Sequence, residues 1–523
     1  MRTTVRLFVA ILLLGMTCRH AAAQVQPCPP RPAAGSVVTD PEELHSQNGV
    51  LTVDLTMKNL AQTGASPEYC YVYTDGTEAP TLVVNPGDRL VLNLTNQNGP
   101  VSSVGMSHDM PSPAPSSATD CAGGPMTASS TNVHFHGLNV PPVCHGDEVI
   151  KTLIQPNDPA FQYSIQIPAN EPSGLYWYHP HPHGFTTTQV VGGAAGALIV
   201  GGLEKARPEA AGLAERVFVV RQLNTAVGDE SSVLTVNFVP AYESLTSTVY
   251  MKPLERQVWR VVNATSIYFL QLQLQQQAKP TMLQLLAVDG VPLKAPEDVR
   301  EVIIPPAGRA EFIVQGPALN QTAQFVNIGF NTGPTGDHNP PSELFGVLTS
   351  NNAPDVPHLP AVSSAEAAHP APVQRFSGLG ALKPTRQRHL YFSESNDGTK
   401  FYITVAGQTP KTYNPYDPPA IVTQQGAVED WIIENRSTEV HAFHIHQLHF
   451  MVLEQNGKPV NDPKIRDTIV VPYWDGKSSQ YPYVKLRMDF RDPETVGTFL
   501  YHCHILDHED GGMMAKIKVL PAN

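Results

Sequence analysis

The sequence predicts an all-β protein made of three β-sandwich domains. Short runs of alternating apolar and polar residues recur along the chain, for example at 51–57, 89–94 and 258–262. Turn residues bound these runs, in keeping with 49 prolines and 38 glycines among 523 residues, and no long stretch has helical periodicity. Many short strands separated by Gly and Pro turns are typical of β-sandwiches.

A faint internal repeat predicts that the three domains are related. Its copies read LVLNLTN at 90–96, VWRVVNA at 258–264 and DWIIENR at 430–436, each after a turn rich in Pro or Gly. Repetition of this kind indicates a recurring structural unit. The Ala/Pro-rich stretch around AHPAPV at 368–373 indicates a linker. We therefore expect a first domain at 24–203, a second at 204–352, a linker at 353–387 and a third domain at 388–523.

Composition and charge exclude several classes of protein. Charged residues make up 15% of the chain, against about 25% in an average globular protein. The Pro and Gly content stays below the roughly 25–30% that indicates disorder. A formal net charge of −13 argues against a basic nucleic-acid binder. We expect no nucleic-acid partner and a monomeric chain.

The N-terminus has the pattern of an export signal. Arg2 and Arg6 precede a mostly apolar run at 7–16, and three alanines at 21–23 offer a cleavage site before Gln24. The apolar run is too short to span a bilayer as a mature helix. We therefore expect a signal peptide at 1–23, a secreted or periplasmic protein, and no membrane insertion of the mature chain.

The six cysteines divide into three groups. Cys18 leaves with the predicted signal, and four others precede residue 145, namely Cys28, Cys70, Cys121 and Cys144. Export makes disulfides among these four plausible. The sequence does not choose among the three possible pairings of these cysteines. We favour Cys28 with Cys70 and Cys121 with Cys144. Cys503 stands apart near the C-terminus and requires another explanation.

Four histidine clusters carry the chemical signal. Many of the 20 histidines fall in HFHG at 134–137, HPHPHG at 179–184, HAFHIH at 441–446 and HCHILDH at 502–508. In a strand, residues i and i+2 face the same side, so an HxH pair directs two imidazoles to one place. Four such pairs would supply more imidazoles than one metal ion can bind.

The last cluster adds a different donor. Cys503 lies between His502 and His504, so on a strand its side chain points away from both imidazoles. One Cys, two His and a weak axial Met form the blue-copper electron-transfer set. His508 and Met513 follow Cys503 at five and ten residues, and His441 can complete the set.

Taken together, these motifs closely resemble the three-domain multicopper oxidases, which include laccases and bacterial copper-efflux oxidases. The resemblance covers essentially the whole mature chain and implies cupredoxin-like Greek-key sandwiches holding four copper ions. It assigns type 1 copper to His441, Cys503, His508 and Met513. It assigns type 2 copper to His134 and His444. It assigns the two type 3 coppers to His136, His179, His181, His446, His502 and His504.

Other residues near the clusters take their expected roles from the same resemblance. Asp147 and Glu509 match acids that supply protons for oxygen reduction. Asp467 matches a segment near the substrate side. His183 and His449 match no ligand position, and we expect them beside the metal sites or at the surface.

The resemblance implies an oxidase. We expect one-electron oxidation of phenols or aromatic amines, coupled to four-electron reduction of O2 to water. The substrate would deliver electrons through an exposed edge of His508, and Cys503 would pass them on to His502 and His504. A metallo-oxidase for Cu(I) or Fe(II) in copper tolerance and a non-catalytic copper-binding or structural cupredoxin protein are the alternatives. A copper nitrite reductase is a weaker alternative. Its catalytic copper needs only three histidines, whereas this chain has in addition the HxH pair at 179–181 and the cluster at 441–446.

Overall fold

The computed structural model describes most of the chain and shows a protein built mainly of strands. Described are residues 28–60, 67–101, 126–224, 232–242, 246–337, 339–368, 375–461 and 463–522, with the single positions 121, 124 and 371. The predicted signal segment lies outside the described residues. The prediction of an all-β fold is confirmed.

The first sandwich comprises the strands between residues 43 and 200. Its elements are β1 Glu43–His45, β2 Val50–Leu60, β3 Glu68–Tyr73, β4 Thr81–Val84, β5 Arg89–Asn96, β6 His134–His136, β7 Phe161–Gln166, β8 Gly174–His179, α1 Thr186–Val191 and β9 Gly196–Val200. One sheet has the order β1-β4-β9-β8-β6 and the other β3-β2-β5-β7. In β2 the alternation turns Leu51, Val53, Leu55 and Met57 into the core between the sheets.

The second sandwich comprises the strands between 214 and 349. Before it lie α2 Leu203–Ala206 and a 3-10 turn, Pro208–Ala210. Its strands are β10 Ala214–Asn224, β11 Ser232–Val236, β12 Val239–Pro240, β13 Thr248–Met251, β14 Arg256–Ala264, β15 Leu270–Gln276, β16 Lys279–Pro280, β17 Leu283–Val288, β18 Val291–Val299, β19 Val302–Ile304, β20 Arg309–Gln315, β21 Thr322–Asn327 and β22 Ser342–Thr349. The sheets have the orders β12-β11-β10-β14-β20-β17-β18 and β13-β22-β21-β15-β16, with β19 also paired to β15.

The third sandwich comprises the strands between 386 and 520. The stretch before it contains α3 Ser364–Ala368 and a 3-10 turn, Leu379–Ala381. The elements that follow are β23 Arg386–Glu394, β24 Phe401–Val405, β25 Ile421–Gln424, β26 Val428–Asn435, β27 His441–Ile445, β28 Phe450–Gln455, β29 Lys458–Pro459, β30 Ile465–Arg466, β31 Thr468–Val471, β32 Tyr483–Asp489, a 3-10 turn Pro493–Thr495, β33 Gly497–Cys503, α4 Leu506–Asp510 and β34 Met514–Leu520. The sheets have the orders β24-β23-β26-β32-β28-β29, with β30 beside β28, and β25-β34-β33-β27-β31.

The sequence repeat occupies the same place in each sandwich. Its three copies form β5, β14 and β26, which pair in parallel with β2, β10 and β23. On their other side they pair antiparallel with β7, β20 and β32. The alternating apolar residues of each copy therefore face the core of their own sandwich, which explains why the pattern recurs. The exact domain limits stay a prediction.

The cysteines have the arrangement that we favoured from the sequence. Disulfides join Cys28 to Cys70 and Cys121 to Cys144. Among the described residues Cys503 is a free cysteine, and it is buried. A search of the described helices found none long and apolar enough to cross a membrane.

Candidate metal centres

Eight buried histidines meet between the first and third sandwiches; we refer to them as the eight-histidine cluster. Its members are His134, His136, His179, His181, His444, His446, His502 and His504, and each is at most 1% exposed. The pairing of β6 with β8 sets His134 opposite His179, and that of β27 with β33 sets His444 opposite His502. Rings from the two sandwiches stack at 3.9 Å between centroids, His134 on His446 and His136 on His444.

The nitrogens of the eight-histidine cluster fit metal ligation. Nε2 of His134, His179, His181 and His444, Nδ1 of His446, and both ring nitrogens of His136 and His504 are buried without a hydrogen-bond partner. Burial lowers the pKa of His134 to about 3 and that of His181 to about 4, so these two rings are neutral and offer lone pairs. Buried polar atoms without partners are costly, and a bound metal ion removes that cost.

Carbonyl and carboxylate groups orient several of these rings. Three donate from Nδ1 to a main-chain oxygen, which leaves Nε2 to face the cluster: His179 to Pro180 at 3.0 Å, His444 to Asp467 at 2.9 Å and His502 to Cys503 at 2.9 Å. His134 Nδ1 instead lies 3.0 Å from both carboxylate oxygens of Asp147. Contacts of this kind select the tautomer and orientation of metal-binding histidines. The potential ligand atoms form compact triplets, among them His134/His444/His446, His134/His136/His179 and His181/His446/His502.

A second group, the cysteine cluster, consists of His441, Cys503 and His508. Cys503 Sγ lies 3.6 Å from His441 Nδ1 and 3.9 Å from His508 Nδ1, and these two nitrogens are 3.2 Å apart. All three residues are buried. Burial raises the pKa of the Cys503 thiol well above its ordinary value, so a bound cation is needed to hold it as the thiolate. The set matches the strong ligands of a blue-copper site.

The turn after β33 brings Met513 to the cysteine cluster. The Cys503 amide donates to the Met513 carbonyl at 3.1 Å, and the Met513 amide donates to the His508 carbonyl at 2.8 Å. Met513 is fully buried in the same core as Cys503. Strand alternation in β33 turns the sulfur toward His441 and His508 while His502 and His504 face the eight-histidine cluster. One short segment thus joins both clusters.

Two buried acids contact the eight-histidine cluster, in agreement with their expected position. Asp147 accepts hydrogen bonds from the Phe135 amide at 2.9 Å and from Gln447 Nε2 at 2.5 Å, and burial raises its pKa to about 7. Glu509 Oε2 lies 3.0 Å from His502 Nδ1, and Oε1 lies 3.4 Å from His181 Nε2. Desolvation opposes ionisation of Glu509, but these two imidazoles lower its pKa below the usual value.

Two details of the sequence interpretation are corrected. Asp467 does not lie on the substrate side: it is fully buried, with Oδ1 3.4 Å from His136 Nε2, because β31 starts beside β27 at the inner end of the third sandwich. His508 is only 5% exposed, so the open edge expected for it is reduced to a small part of the ring. The Phe401 ring stacks on it at 4.2 Å, and Glu439 Oε1 lies 3.1 Å from its Nε2.

The remaining neighbours are the two histidines that we expected beside the metal sites or at the surface, and three residues that the sequence did not single out. His449 is fully buried and directs Nε2 to the Asp289 carbonyl at 2.9 Å, and His183 packs on Tyr413. Arg309, Glu394 and Glu439 had no motif to mark them. The glycine of HFHG packs against Arg309 in space, but nothing in that motif identifies an arginine so far along the chain.

Comparisons with known proteins agree with this architecture. Two multicopper oxidase family models match residues 126–205 and 382–523. The multicopper oxidase mco of Staphylococcus haemolyticus is 26% identical, covering 75% of this chain and 77% of the relative. A laccase of Haloferax volcanii is 25% identical over 75% and 67% of the two chains.

The fold also matches a solved structure. A multicopper oxidase from Campylobacter jejuni, described as a metallo-oxidase, superposes with a TM-score of 0.67 at 21% identity, covering 94% of this chain and 96% of the other. The three sandwiches therefore have the cupredoxin-like fold. The motifs, the two clusters and these matches lead to one conclusion: the chain belongs to the multicopper oxidase family, copper-dependent oxidoreductases with O2 as acceptor.

Proposed function

We propose that the protein oxidises phenols or aromatic amines one electron at a time and reduces O2 to water. Four substrate molecules each lose one electron, and O2 takes up four electrons and four protons to give two waters. The observation that carries the proposal is the segment 502–504, which belongs to both clusters at once. Bound copper supplies the one-electron redox steps and the reaction with O2.

The chain would hold four copper ions in the two clusters. The cysteine cluster with Met513 would bind one. In the eight-histidine cluster, His134 and His444 would bind a second, and the third and fourth would be bound by His136, His179, His181, His446, His502 and His504. The unpartnered buried nitrogens and the closely spaced triplets support this assignment.

The protein's own groups connect these sites, shield them from water and supply them with protons. Cys503 is covalently adjacent to His502 and His504, so a single peptide unit separates the sulfur-bearing residue from either imidazole. The complete burial of the eight histidines excludes bulk water. Asp147 can hold a proton at its carboxylate next to His134 Nδ1, because its pKa lies near 7. Glu509 can receive a proton at Oε2 and pass it on beside His502.

A metallo-oxidase for Cu(I) or Fe(II) is the second candidate, and the rim of the cysteine cluster favours it. Glu439 Oε1 lies 3.1 Å from His508 Nε2, and Glu394 Oε1 lies 3.6 Å from His441 Nε2. Despite burial, contact with His441 keeps the pKa of Glu394 below its usual value, so Glu394 is the charged carboxylate at this rim and would attract a metal cation. The Campylobacter jejuni structure carries the name metallo-oxidase, whereas the Haloferax volcanii relative carries the name laccase.

Steady-state kinetics of the copper-loaded protein tests the proposal. The rate of O2 uptake is measured with a substituted phenol, with Cu(I) and with Fe(II) as the reducing substrate. Copper per chain is measured on the same sample. We expect about four coppers, an intense blue band and rapid phenol turnover. Rapid Cu(I) or Fe(II) oxidation with negligible phenol turnover would establish the second candidate instead. A protein that binds copper without O2 uptake on any of these substrates would be a binding or structural protein.

We also propose that the protein is exported after cleavage of residues 1–23 and acts as a monomer. Two disulfides support an oxidising compartment. Mass spectrometry of the protein recovered from its native compartment would show an N-terminus at Gln24, and light scattering would give the mass of one chain. An intact Met1 or a larger assembly would contradict these proposals.

A further inference from the structure

Arg309 connects the second sandwich to the residues around the eight-histidine cluster. It begins β20, and its side chain is fully buried. Nη1 donates to Asp467 Oδ1 at 2.8 Å, and Nη2 donates to Asp467 Oδ2 at 2.6 Å. This is a two-point pair between a planar guanidinium and a carboxylate, the geometry for which arginine is suited and lysine is not.

The partner of Arg309 contacts histidines from both outer sandwiches. Asp467 Oδ1 lies 3.4 Å from His136 Nε2 of the first sandwich. The Asp467 carbonyl accepts a hydrogen bond from His444 Nδ1 of the third sandwich at 2.9 Å. Its other carboxylate oxygen, Oδ2, lies 3.5 Å from His449 Nε2. Because Oδ1 also lies 3.8 Å from His444 Nδ1, a rotation of the Asp467 side chain would change the surroundings of two histidines that we assign to different coppers.

Arg309 is itself held in place through both its side chain and its main chain. Arg309 Nε donates to the Leu175 carbonyl of β8 at 3.1 Å, and the Arg309 amide donates to Asp289 Oδ1 at 2.9 Å. Gly137 has a φ of +89°, and a Cβ there would lie 2.3 Å from Arg309 Nη2 and 2.6 Å from Asp467 Oδ2. The glycine of HFHG thus leaves the space that the ion pair occupies directly after His136.

We propose that Arg309 is a positioning residue by which the second sandwich keeps the eight-histidine cluster assembled between the other two. The inference rests on the proposed function, because it assumes that the cluster binds copper. Without the guanidinium, the buried Asp467 carboxylate would lose its compensating charge and its two-point contact, and its side chain would be free to rotate. Neighbours that orient metal ligands typically change metal affinity by about 10- to 100-fold when they are altered.

The test compares copper retention at the two clusters in matched variants. Arg309→Met removes the charge and keeps the stem. The double variant Arg309→Met/Asp467→Asn removes both members of the ion pair. It therefore measures the effect of the missing guanidinium on copper retention even if the single variant fails to fold. Arg309→Lys keeps the charge and loses the two-point geometry. Arg216→Met is the control, because Arg216 is another buried arginine of the second sandwich and pairs with Asp40 instead.

Each copper-loaded protein is dialysed against increasing chelator concentrations. Blue absorption reports the cysteine cluster, and the electron paramagnetic resonance signal of non-blue copper reports the eight-histidine cluster. For Arg309→Met and the double variant we expect non-blue copper to be lost at about 10- to 100-fold lower chelator concentration, while the blue band matches that of the unchanged protein. Arg309→Lys should fall between these variants and the unchanged protein, and Arg216→Met should match the latter.

Failure of the proposed function and failure of the role proposed for Arg309 give different results. If the unchanged protein lacks blue and non-blue copper, the proposed function fails. If the unchanged protein has both, but Arg309→Met and the double variant retain non-blue copper like Arg216→Met, the role of Arg309 is structural only and the inference is overturned. Equal loss of blue and non-blue copper in the Arg309 variants would also overturn it, because the effect would then not be specific to one cluster.

Discussion

The cysteine cluster and the eight-histidine cluster are assembled in different ways. His441, Cys503 and His508 all belong to the third sandwich, on β27, β33 and α4. The eight-histidine cluster draws half of its members from the first sandwich and half from the third. One centre therefore forms when a single domain folds, whereas the other requires two domains to be docked.

The contacts between sandwiches show how that docking is maintained. Asp510 of α4 accepts hydrogen bonds from the Gly184 and Thr187 amides of the first sandwich at 2.8 and 2.9 Å. Gln447 Nε2 reaches Asp147, and Arg309 reaches Asp467. A centre built at an interface depends on buried polar pairs, which are sensitive to loss of one partner.

The largest effect is expected for Cys503→Ser, which removes the sulfur of the cysteine cluster. We expect complete loss of the blue band and at least about a 1,000-fold fall in kcat, while copper in the eight-histidine cluster is retained. Metal analysis and absorption spectra measure this. Ser437→Ala serves as the control, because it removes the hydroxyl contacts to His441 Nε2 and Asn435 Oδ1 but leaves the sulfur in place, so it should keep the blue colour. Loss of all copper from Cys503→Ser would contradict the independence of the two clusters.

Glu509→Gln acts only on the eight-histidine cluster and should have the next largest effect. The amide keeps the shape but cannot relay protons beside His502 and His181, so kcat should fall about 100- to 10,000-fold. Stopped-flow absorption should show that substrate bleaches the blue band at the usual rate and that O2 restores the colour slowly. Slowed bleaching instead would place Glu509 on the substrate side of the reaction.

Asp147→Asn should have a smaller effect with a distinct pH dependence. Because burial raises the Asp147 pKa to about 7, the carboxyl holds its proton below pH 7 and loses it above. We expect the unchanged protein to slow as pH rises through about 7, and the variant to be about 10- to 100-fold slower without that step. A pH profile of kcat measures both. An unchanged step in the variant would assign it to another group.

Glu394→Gln should have the smallest effect, and it tests the rim of the cysteine cluster. Contact with His441 keeps the pKa of Glu394 below its usual value despite burial, so it is charged at pH 7. We expect kcat/KM for Cu(I) to fall by about threefold to tenfold and that for a phenol to stay the same. Burial and Glu394 raise the pKa of Glu439 to about 9, so Glu439→Gln at pH 7 is a matched control without charge loss. Equal effects on both substrates would remove the argument for metal oxidation.

Much of the fold and of the candidate metal-binding residues could be predicted because the signals are local. Strand alternation at 51–57 and the recurring motif of β5, β14 and β26 depend only on neighbouring residues. The HxH pairs are equally local, since covalent spacing alone places i and i+2 on one face. The favoured cysteine pairing is also the one that the structure has.

Other features were beyond prediction because they depend on how distant segments pack. Asp467 was assigned to the wrong side because its neighbours come from other sandwiches. The exposure of His508 was overestimated because Phe401 and Glu439 cover most of its ring only in the assembled structure. Arg309 and Asp467 are 158 residues apart, and no pattern in either neighbourhood refers to the other.

The sequence by itself determined the strand-rich character of the chain, the identity of the candidate copper ligands and the adjacency of Cys503 to His502 and His504. These follow from alternation and covalent order. Only the tertiary structure decided which nitrogens are free for a metal, how the first and third sandwiches meet, and that the second sandwich reaches the metal centre through Arg309. The physical reason is that hydrogen bonds and ion pairs between sandwiches form only after the sheets have packed, and their partners are selected by proximity in space.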